Sequence, residues 1–223
     1  MADNEDLFNK LKDAVINYQK DECLDLAKKG VEEKIPALDL IQKALTPAIK
    51  EVGDKFGKGE IPLPFLMLGA EAMQDALEYL IDSMPIGEYK PKATMVLGSV
   101  AGDIHDLGIS IVTAVFEANG IHIINLGRDV PTEKFIEKAE EVEADIIGTS
   151  ALLSGTMFQQ KVVLEAIKKK GLRDKYIYMI GGGAMPSGAW CEEIGADGWA
   201  TDVMTGLERA KKLLADKKGI EID

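Results

Sequence analysis

"PKATMVLGSVAGDIHDLGISIVTAVFEANGIHIINLG", residues 91–127, decides the architecture of the chain. An apolar run from Ala93 to Val100 gives way to a glycine-punctuated turn. Residues 107–119 then carry apolar side chains at helical spacing, and a second apolar run begins at Ile121. Continuous apolar strands alternating with helices belong to a parallel sheet covered on both faces. The same grammar continues to the end of the chain. Further strands are predicted at "ADIIGTSA" (144–151), "YIYMIGG" (176–182) and a short "GWAT" (198–201), with helices near 131–143, 156–170, 186–194 and 203–216. Five βα units in about 130 residues predict a flavodoxin-like (Rossmann-like), doubly wound α/β domain over residues 91–223, with strand order 2-1-3-4-5.

Residues 1–90 read differently. "NEDLFNKLKDAVINYQ" places Leu7, Leu11, Ala14, Val15 and Tyr18 at helical spacing. "CLDLAKKGVEEKI" repeats that period, with Gly30 as its expected C-cap. Pro36 suits the first turn of the next helix, and Pro47 predicts a kink or break within it. "IPLPFLMLGAEAMQDALEYLIDSM" (61–84) has apolar residues on more than one face, as in a helix buried on several sides. Period-two β-branched runs are absent, so a small helical bundle is expected. Pro85, Gly87 and Pro91 mark the linker between the two parts.

Hydrophobic residues make up 46% and charged residues 29% of the 223, the balance of a globular protein. The formal charge is 26 − 38 = −12, which argues against gripping a nucleic acid backbone. No apolar run approaches the roughly 20 residues of a membrane span, and the polar start "MADNEDLFNK" is unlike a signal peptide. Cys23 and Cys191 are isolated and fit neither a metal knuckle nor a disulfide framework, so a cytoplasmic location is expected.

An open parallel sheet binds ligands beyond the carboxyl ends of its strands, at the point where strand order reverses. In the expected order, strands 1, 3 and 4 are neighbours. Their following loops are "GDIHDLG", "TSALLSGTM" and "GGGAMPSG", the three most unusual in the chain. In the first, Asp103 lies two residues before His105. A ligating histidine has its second ring nitrogen fixed by a carboxylate or carbonyl. Asp103 can fill that role and Asp106 competes for it; the alternative is a surface histidine beside a helix capped by Asp106.

Gly108, at a helix start, points to close approach of another group. In the second loop Ser150, Leu152, Ser154, Gly155 and Thr156 can line a narrow slot, although Ser154 or Thr156 can equally cap the helix. In the third, Gly181, Gly182 and Gly183 allow backbone to approach a ligand or simply make a tight turn. His122, at the start of strand 2, reads as structural. A zinc site needs three or four ligands, whereas a single histidine suffices when a macrocycle supplies the rest.

The chain resembles the cobalamin-binding family that includes methionine synthase and the methyltransferase corrinoid proteins. That family carries Asp-x-His-x-x-Gly, about 41 residues, Ser-x-Leu, about 26 to 28 residues, then Gly-Gly. Here Asp103-Ile104-His105-Asp106-Leu107-Gly108 is followed by 41 residues, Ser150-Ala151-Leu152 by 28, and then Gly181-Gly182. "GKGEIPLPFLMLGAEAMQDAL" resembles the helical cap that precedes such domains.

The resemblance implies cobalamin bound base-off and His-on, cycling between Co(I) and methyl-Co(III). His105 would be the lower ligand of cobalt. Asp103 would hold the distal ring nitrogen, with Thr156 extending the relay. Gly108, Ser150, Leu152, Gly181 and Gly182 would line a slot for the nucleotide tail between strands 1 and 3, and Asp106 would belong to the helix start. Residues 1–90 would shield the methyl group. Phe65, Leu66, Met67 and Met73 are candidates to face it, although ordinary bundle core explains most of them, and a hinge is expected near residues 84–92.

With no further substrate or reactivation domain, the chain resembles a non-catalytic carrier subunit of a methyltransferase system. A substrate-specific corrinoid methyltransferase acting on a mono-, di- or trimethylamine or a quaternary amine would load it. A second methyltransferase would unload it to coenzyme M or tetrahydrofolate, and a reductive activation protein would restore it. Methanol or methoxy-aromatic carriers are the near alternative. An adenosylcobalamin-dependent sensor, or the small subunit of an adenosylcobalamin mutase, is the alternative of another class.

Overall fold

A computed structural model describes residues 2–85, 91–183 and 188–222. The chain falls into two compact units, Met1–Lys90 and Pro91–Asp223. The first is helical: α1 (Ala2–Ile16), α2 (Lys20–Glu32), α3 (Ala37–Leu40), α4 (Thr46–Gly57) and α5 (Leu63–Ser83). Leu7, Leu11, Ala14 and Val15 turn one face of α1 into the core, as the spacing predicts. Tyr18 lies past the end of α1 with φ 63°, and its ring meets that of Phe65 at 5.4 Å. The helix α5 packs against α1, α2, α3 and α4, which accounts for its broad apolar surface. Leu66 and Met73 of α5 are fully buried, whereas Phe65 is exposed.

One expectation for this unit is corrected and one is refined. Gly30 does not end α2 but sits inside it, and Glu33 is the C-cap. A Cβ at Gly30 would lie 2.6 Å from Cδ1 of the buried Leu40, so the glycine serves close helix packing. The α-helical pattern is interrupted just before Pro47, as expected, but by a wider turn and not by a break in the chain. A π turn, Ile41–Leu45, precedes α4, and the Thr46 N–H reaches the Ile41 carbonyl. Widening the turn there accommodates a proline that has no N–H to give and a ring that crowds the preceding turn.

The second unit holds β1 (Ala93–Ser99), α6 (Leu107–Ala118), β2 (Ile121–Asn125), α7 (Thr132–Glu141), β3 (Ile146–Ser150), α8 (Ser154–Lys169), β4 (Ile177–Gly181), α9 (Gly188–Ile194), β5 (Gly198–Trp199) and α10 (Val203–Lys218). All pairings are parallel and the order is β2-β1-β3-β4-β5, as the alternation of runs predicts. Every residue of β1 except Thr94 is buried, which is why the strand reads as an unbroken apolar run. One face of the sheet closes on α7 and α8 through Val96, Ile147, Phe135, Ile136, Val163 and Leu164.

Ser99 pairs with Ser150, and Ser150 with Gly181. The last residues of three strands therefore stand level, and their loops start side by side. The expected linker and hinge fall mainly on residues 86–90, and part of the "GGGAMPSG" loop and of its helix falls on 184–187; both lie outside the described residues. Among the described residues no helix is long and apolar enough to cross a membrane.

Candidate functional site

The turn between β1 and α6 is organised by Asp103, whose side chain is fully buried. Its Oδ1 accepts from the His105 ring Nδ1 at 2.7 Å and from the His105 backbone N–H at 3.1 Å. Its Oδ2 accepts from the Thr156 hydroxyl at 2.6 Å and from the Leu152 N–H at 2.7 Å. One carboxylate thus ties the loop after β1 to the loop after β3. Burial alone would raise its pKa. The Thr156 hydroxyl, the His105 ring and the N–H groups of His105 and Leu152 outweigh that and hold the carboxyl far below the usual carboxylate range.

An ionised Asp103 can only accept, so the proton between the pair resides on His105 Nδ1. That leaves Nε2 with its lone pair, on a side chain 43% exposed. The ring is oriented from behind and open in front, the arrangement of a metal-ligating histidine with its carboxylate partner. Among the described residues no cluster of three or more His, Cys, Asp or Glu could hold a metal ion by itself. The two loops that Asp103 joins also carry exposed large apolar side chains: Ile104 at 64%, Leu153 at 49% and Leu152 at 39%. Leu152 therefore has two faces, its N–H directed to Asp103 and its side chain outward.

The glycines divide into two kinds. A Cβ at Gly108 or Gly155 would meet nothing within 4 Å, and at Gly181 only the Ala200 carbonyl at 4.0 Å. Packing within the protein does not call for glycine at these positions. At Gly182 a Cβ would lie 2.5 Å from Ala151 N and 2.7 Å from Ser150 Oγ, and φ is +101°. Here glycine lets the loop after β4 press on the loop after β3. Beneath them the buried Gln160 donates from Nε2 to the Thr149 and Gly181 carbonyls, each at 3.0 Å, closing the gap between β3 and β4. The strands β1 and β3 stay bonded up to Val100 N–H and Ser150 O, and beyond that bond Asp103 bridges their loops.

Asp103, His105, Leu152 and Thr156 are thus one bonded group, while Gly108 opens α6, Ser150 and Gly181 end β3 and β4, and Gly182 begins the loop after β4. Thr156 and Asp106 depart from capping. The Thr156 hydroxyl turns to Asp103, and Asp106, at the N-cap position of α6, makes no side-chain cap bond but has Oδ2 3.8 Å from Arg128. His122 bonds Glu117 at 2.8 Å, away from this group. Pattern reading missed Ser99, whose hydroxyl donates to the His105 carbonyl at 2.5 Å. Its signal is a small polar residue at the end of an apolar strand.

The B12 binding domain family matches residues 93–208, and a second B12 binding domain family matches residues 7–81. A corrinoid protein of Desulfitobacterium hafniense is 44% identical, over 93% of this chain and 97% of its own. The dimethylamine corrinoid protein of Methanosarcina barkeri is 42% identical, over 95% and 99%. The solved methanol:cobalamin methyltransferase complex of Methanosarcina barkeri contains a chain 27% identical, with a TM-score of 0.79 over 97% of this chain and 82% of that one. The chain belongs to the corrinoid proteins, a family built on B12-binding domains, and cobalamin or a related corrinoid is its cofactor.

Proposed function

We propose that the protein is a methyl carrier: a corrinoid subunit loaded by a methylamine-specific methyltransferase and unloaded by a second methyltransferase. The observation that carries this reading is the half-exposed imidazole of His105, oriented by the buried carboxylate of Asp103. The residues fit a corrinoid. A corrinoid would ask of the protein one donor atom, apolar surroundings and room for its tail. His105 offers the donor through Nε2. Ile104, Leu152 and Leu153 offer exposed apolar surface, and a Cβ at Gly108 or Gly155 would meet no atom of the described residues within 4 Å.

When bound, the corrinoid supplies a cobalt centre able to take up a methyl group and give it away. The protein's part is positional and electrostatic. Asp103 holds a proton on Nδ1 and polarises it, so electron density moves toward Nε2. Thr156 and the Leu152 N–H fix the carboxylate, and Ser99 fixes the His105 backbone. Gly182 and Ser150 stand where the loops after β4 and β3 meet, and would help to hold the tail. The helical unit, itself matched by a B12-binding family over residues 7–81, is assigned a share in covering the cofactor. Residues 1–90 and 91–223 are the two working domains of this reading.

The relatives named for dimethylamine favour a methylated amine as donor. The likeness to a chain of the methanol complex makes methanol the second reading. Coenzyme M or tetrahydrofolate would be the acceptor, with a reductive protein restoring the carrier. In the deciding experiment, the protein carrying heavy-nitrogen histidine is reconstituted with hydroxocobalamin and reduced to Co(II), and the EPR signal is read for the splitting that marks the histidine nitrogen and not the cofactor's own dimethylbenzimidazole. The splitting is expected in the wild type and absent in His105→Ala. Incubation with dimethylamine- and methanol-specific methyltransferases then assigns the donor. Splitting that survives His105→Ala, or no corrinoid bound at all, overturns the reading.

A further inference from the structure

The turn that presents His105 is held from outside by the next loop along the sheet edge. That loop, residues 126–131, follows β2. The Asp129 N–H donates to the Asp103 carbonyl at 2.9 Å, and Asp129 Oδ1 accepts from the Gly102 N–H at 2.7 Å. To make both bonds Asp129 adopts φ +52°, a left-handed conformation that costs a residue with a Cβ about 1 kcal/mol or more. The same loop reaches the other end of the turn, where Arg128 faces Asp106. It also anchors Ser99, whose N–H donates to the Gly127 carbonyl and whose carbonyl accepts from the Val130 N–H, both at 2.9 Å. Ser99 in turn holds the His105 carbonyl.

Asp103 is the pivot of this arrangement. Its carboxylate orients the imidazole, while its own backbone carbonyl is fixed by Asp129. The two bonds hold the peptide before Gly102 and the peptide after Asp103; if either rotated, the carboxylate and the ring bonded to it would move together.

We propose that Asp129 is a positioning residue for the axial histidine: its two bonds to Gly102 and Asp103 clamp the turn so that His105 is aligned before the cofactor arrives. The proposal rests on the reading of His105 as the cobalt ligand. A short polar side chain able to accept a hydrogen bond from a left-handed backbone is the requirement, and Asp or Asn meets it.

Two variants separate the clamp from charge and from backbone strain. Asp129→Gly keeps the left-handed backbone and removes the acceptor. Asp129→Asn keeps the acceptor and removes the charge. Melts followed by far-ultraviolet circular dichroism establish that both variants fold. In the apo-protein, amide exchange at Gly102 is expected to quicken in D129G and not in D129N. After reconstitution, D129G is expected to bind cobalamin about three- to tenfold more weakly, the worth of one hydrogen bond. Its Co(II) EPR signal should contain a fraction without imidazole nitrogen splitting, whereas D129N matches the wild type.

Wild-type exchange, affinity and EPR signal in D129G overturn the proposal. Equal impairment of D129N and D129G overturns it too, because the charge would then matter and not the clamp. Wild-type protein without nitrogen splitting defeats instead the reading of His105 as ligand, so the two failures are distinguishable.

Discussion

At the scale of single residues, the two kinds of glycine around His105 make opposite forecasts. Gly108 stands in the first turn of α6 with open space where a Cβ would be. Alanine there improves helix propensity, so Gly108→Ala is expected to stabilise the apo-protein by up to about 1 kcal/mol. If the space serves the cofactor tail, the same methyl should weaken cobalamin binding about tenfold or more, the cost of overpacking a filled site. Gly182→Ala would force a Cβ to 2.5 Å from Ala151 N at φ +101°. It is expected to destabilise the apo-protein by about 3 kcal/mol or more, from a backbone clash added to left-handed strain. Thermal melts of both apo-variants, with titrations of cobalamin into G108A, check the pair. A G108A protein that binds like the wild type would remove Gly108 from the site.

The sequence distinguished these glycines poorly, because it shows where glycine occurs and not what stands opposite. It does carry Asp103 and His105 as a spaced pair. The second half of the Asp103 bonding, Thr156 and the Leu152 N–H, is separated from it by about fifty residues and emerges only when β1 and β3 lie side by side. Asp129 and Ser99 escaped for a similar reason: each acts on backbone atoms of another segment, and backbone bonds leave no residue signature.

At the scale of elements, the strands were legible because parallel strands buried on both faces must be continuously apolar. The breaks of the helical unit were legible only in part, since Gly30 and Pro47 act by rules that depend on partners. Gly30 answers to Leu40 across a helix contact, and Pro47 to a π turn that widens the preceding residues.

The junction of α6 and β2 supplies a test of a different kind. Glu117, near the end of α6, accepts from the Ile123 N–H at 2.7 Å and bonds the His122 ring at 2.8 Å. The bond to Glu117 raises the pKa of His122 above 6.5 against the opposing effect of burial. A histidine whose folded pKa is raised gives its stabilisation fully below the unfolded value and loses it as pH rises through the folded value. Wild-type apo-protein should therefore exceed His122→Gln in stability most at about pH 5.5, and least at about pH 8.5. With the side chain 41% exposed, solvent screening keeps the difference under about 1 kcal/mol. Urea midpoints of the two proteins across that range check it, and a pH-independent difference would reduce the pair to ordinary packing.

At the scale of the whole molecule, the chain separates its duties by position. The residues proposed to hold the cofactor fall between Asp103 and Gly182, inside the unit Pro91–Asp223. That unit has its own core, including fully buried Phe135, Ile136, Ile147, Leu164 and Tyr178. Its five strands also pair only with one another. A domain of about 130 residues with a complete sheet and helices on both faces is large enough to fold alone. Residues 91–223 expressed without the helical unit are thus expected to melt cooperatively and, once loaded, to show imidazole nitrogen splitting in the Co(II) EPR signal. What the fragment should lose is protection: reduced cobalt in it should reoxidise in air faster than in the full chain, if residues 1–90 cover the cofactor. Stopped-flow absorbance of the two reduced proteins mixed with oxygen measures this directly. Equal rates would deny the helical unit a shielding role while leaving the axial site intact. Loss of the splitting in a well-folded fragment would mean that His105 ligation needs the helical unit as well, against the self-contained bonding of Asp103, His105 and Thr156.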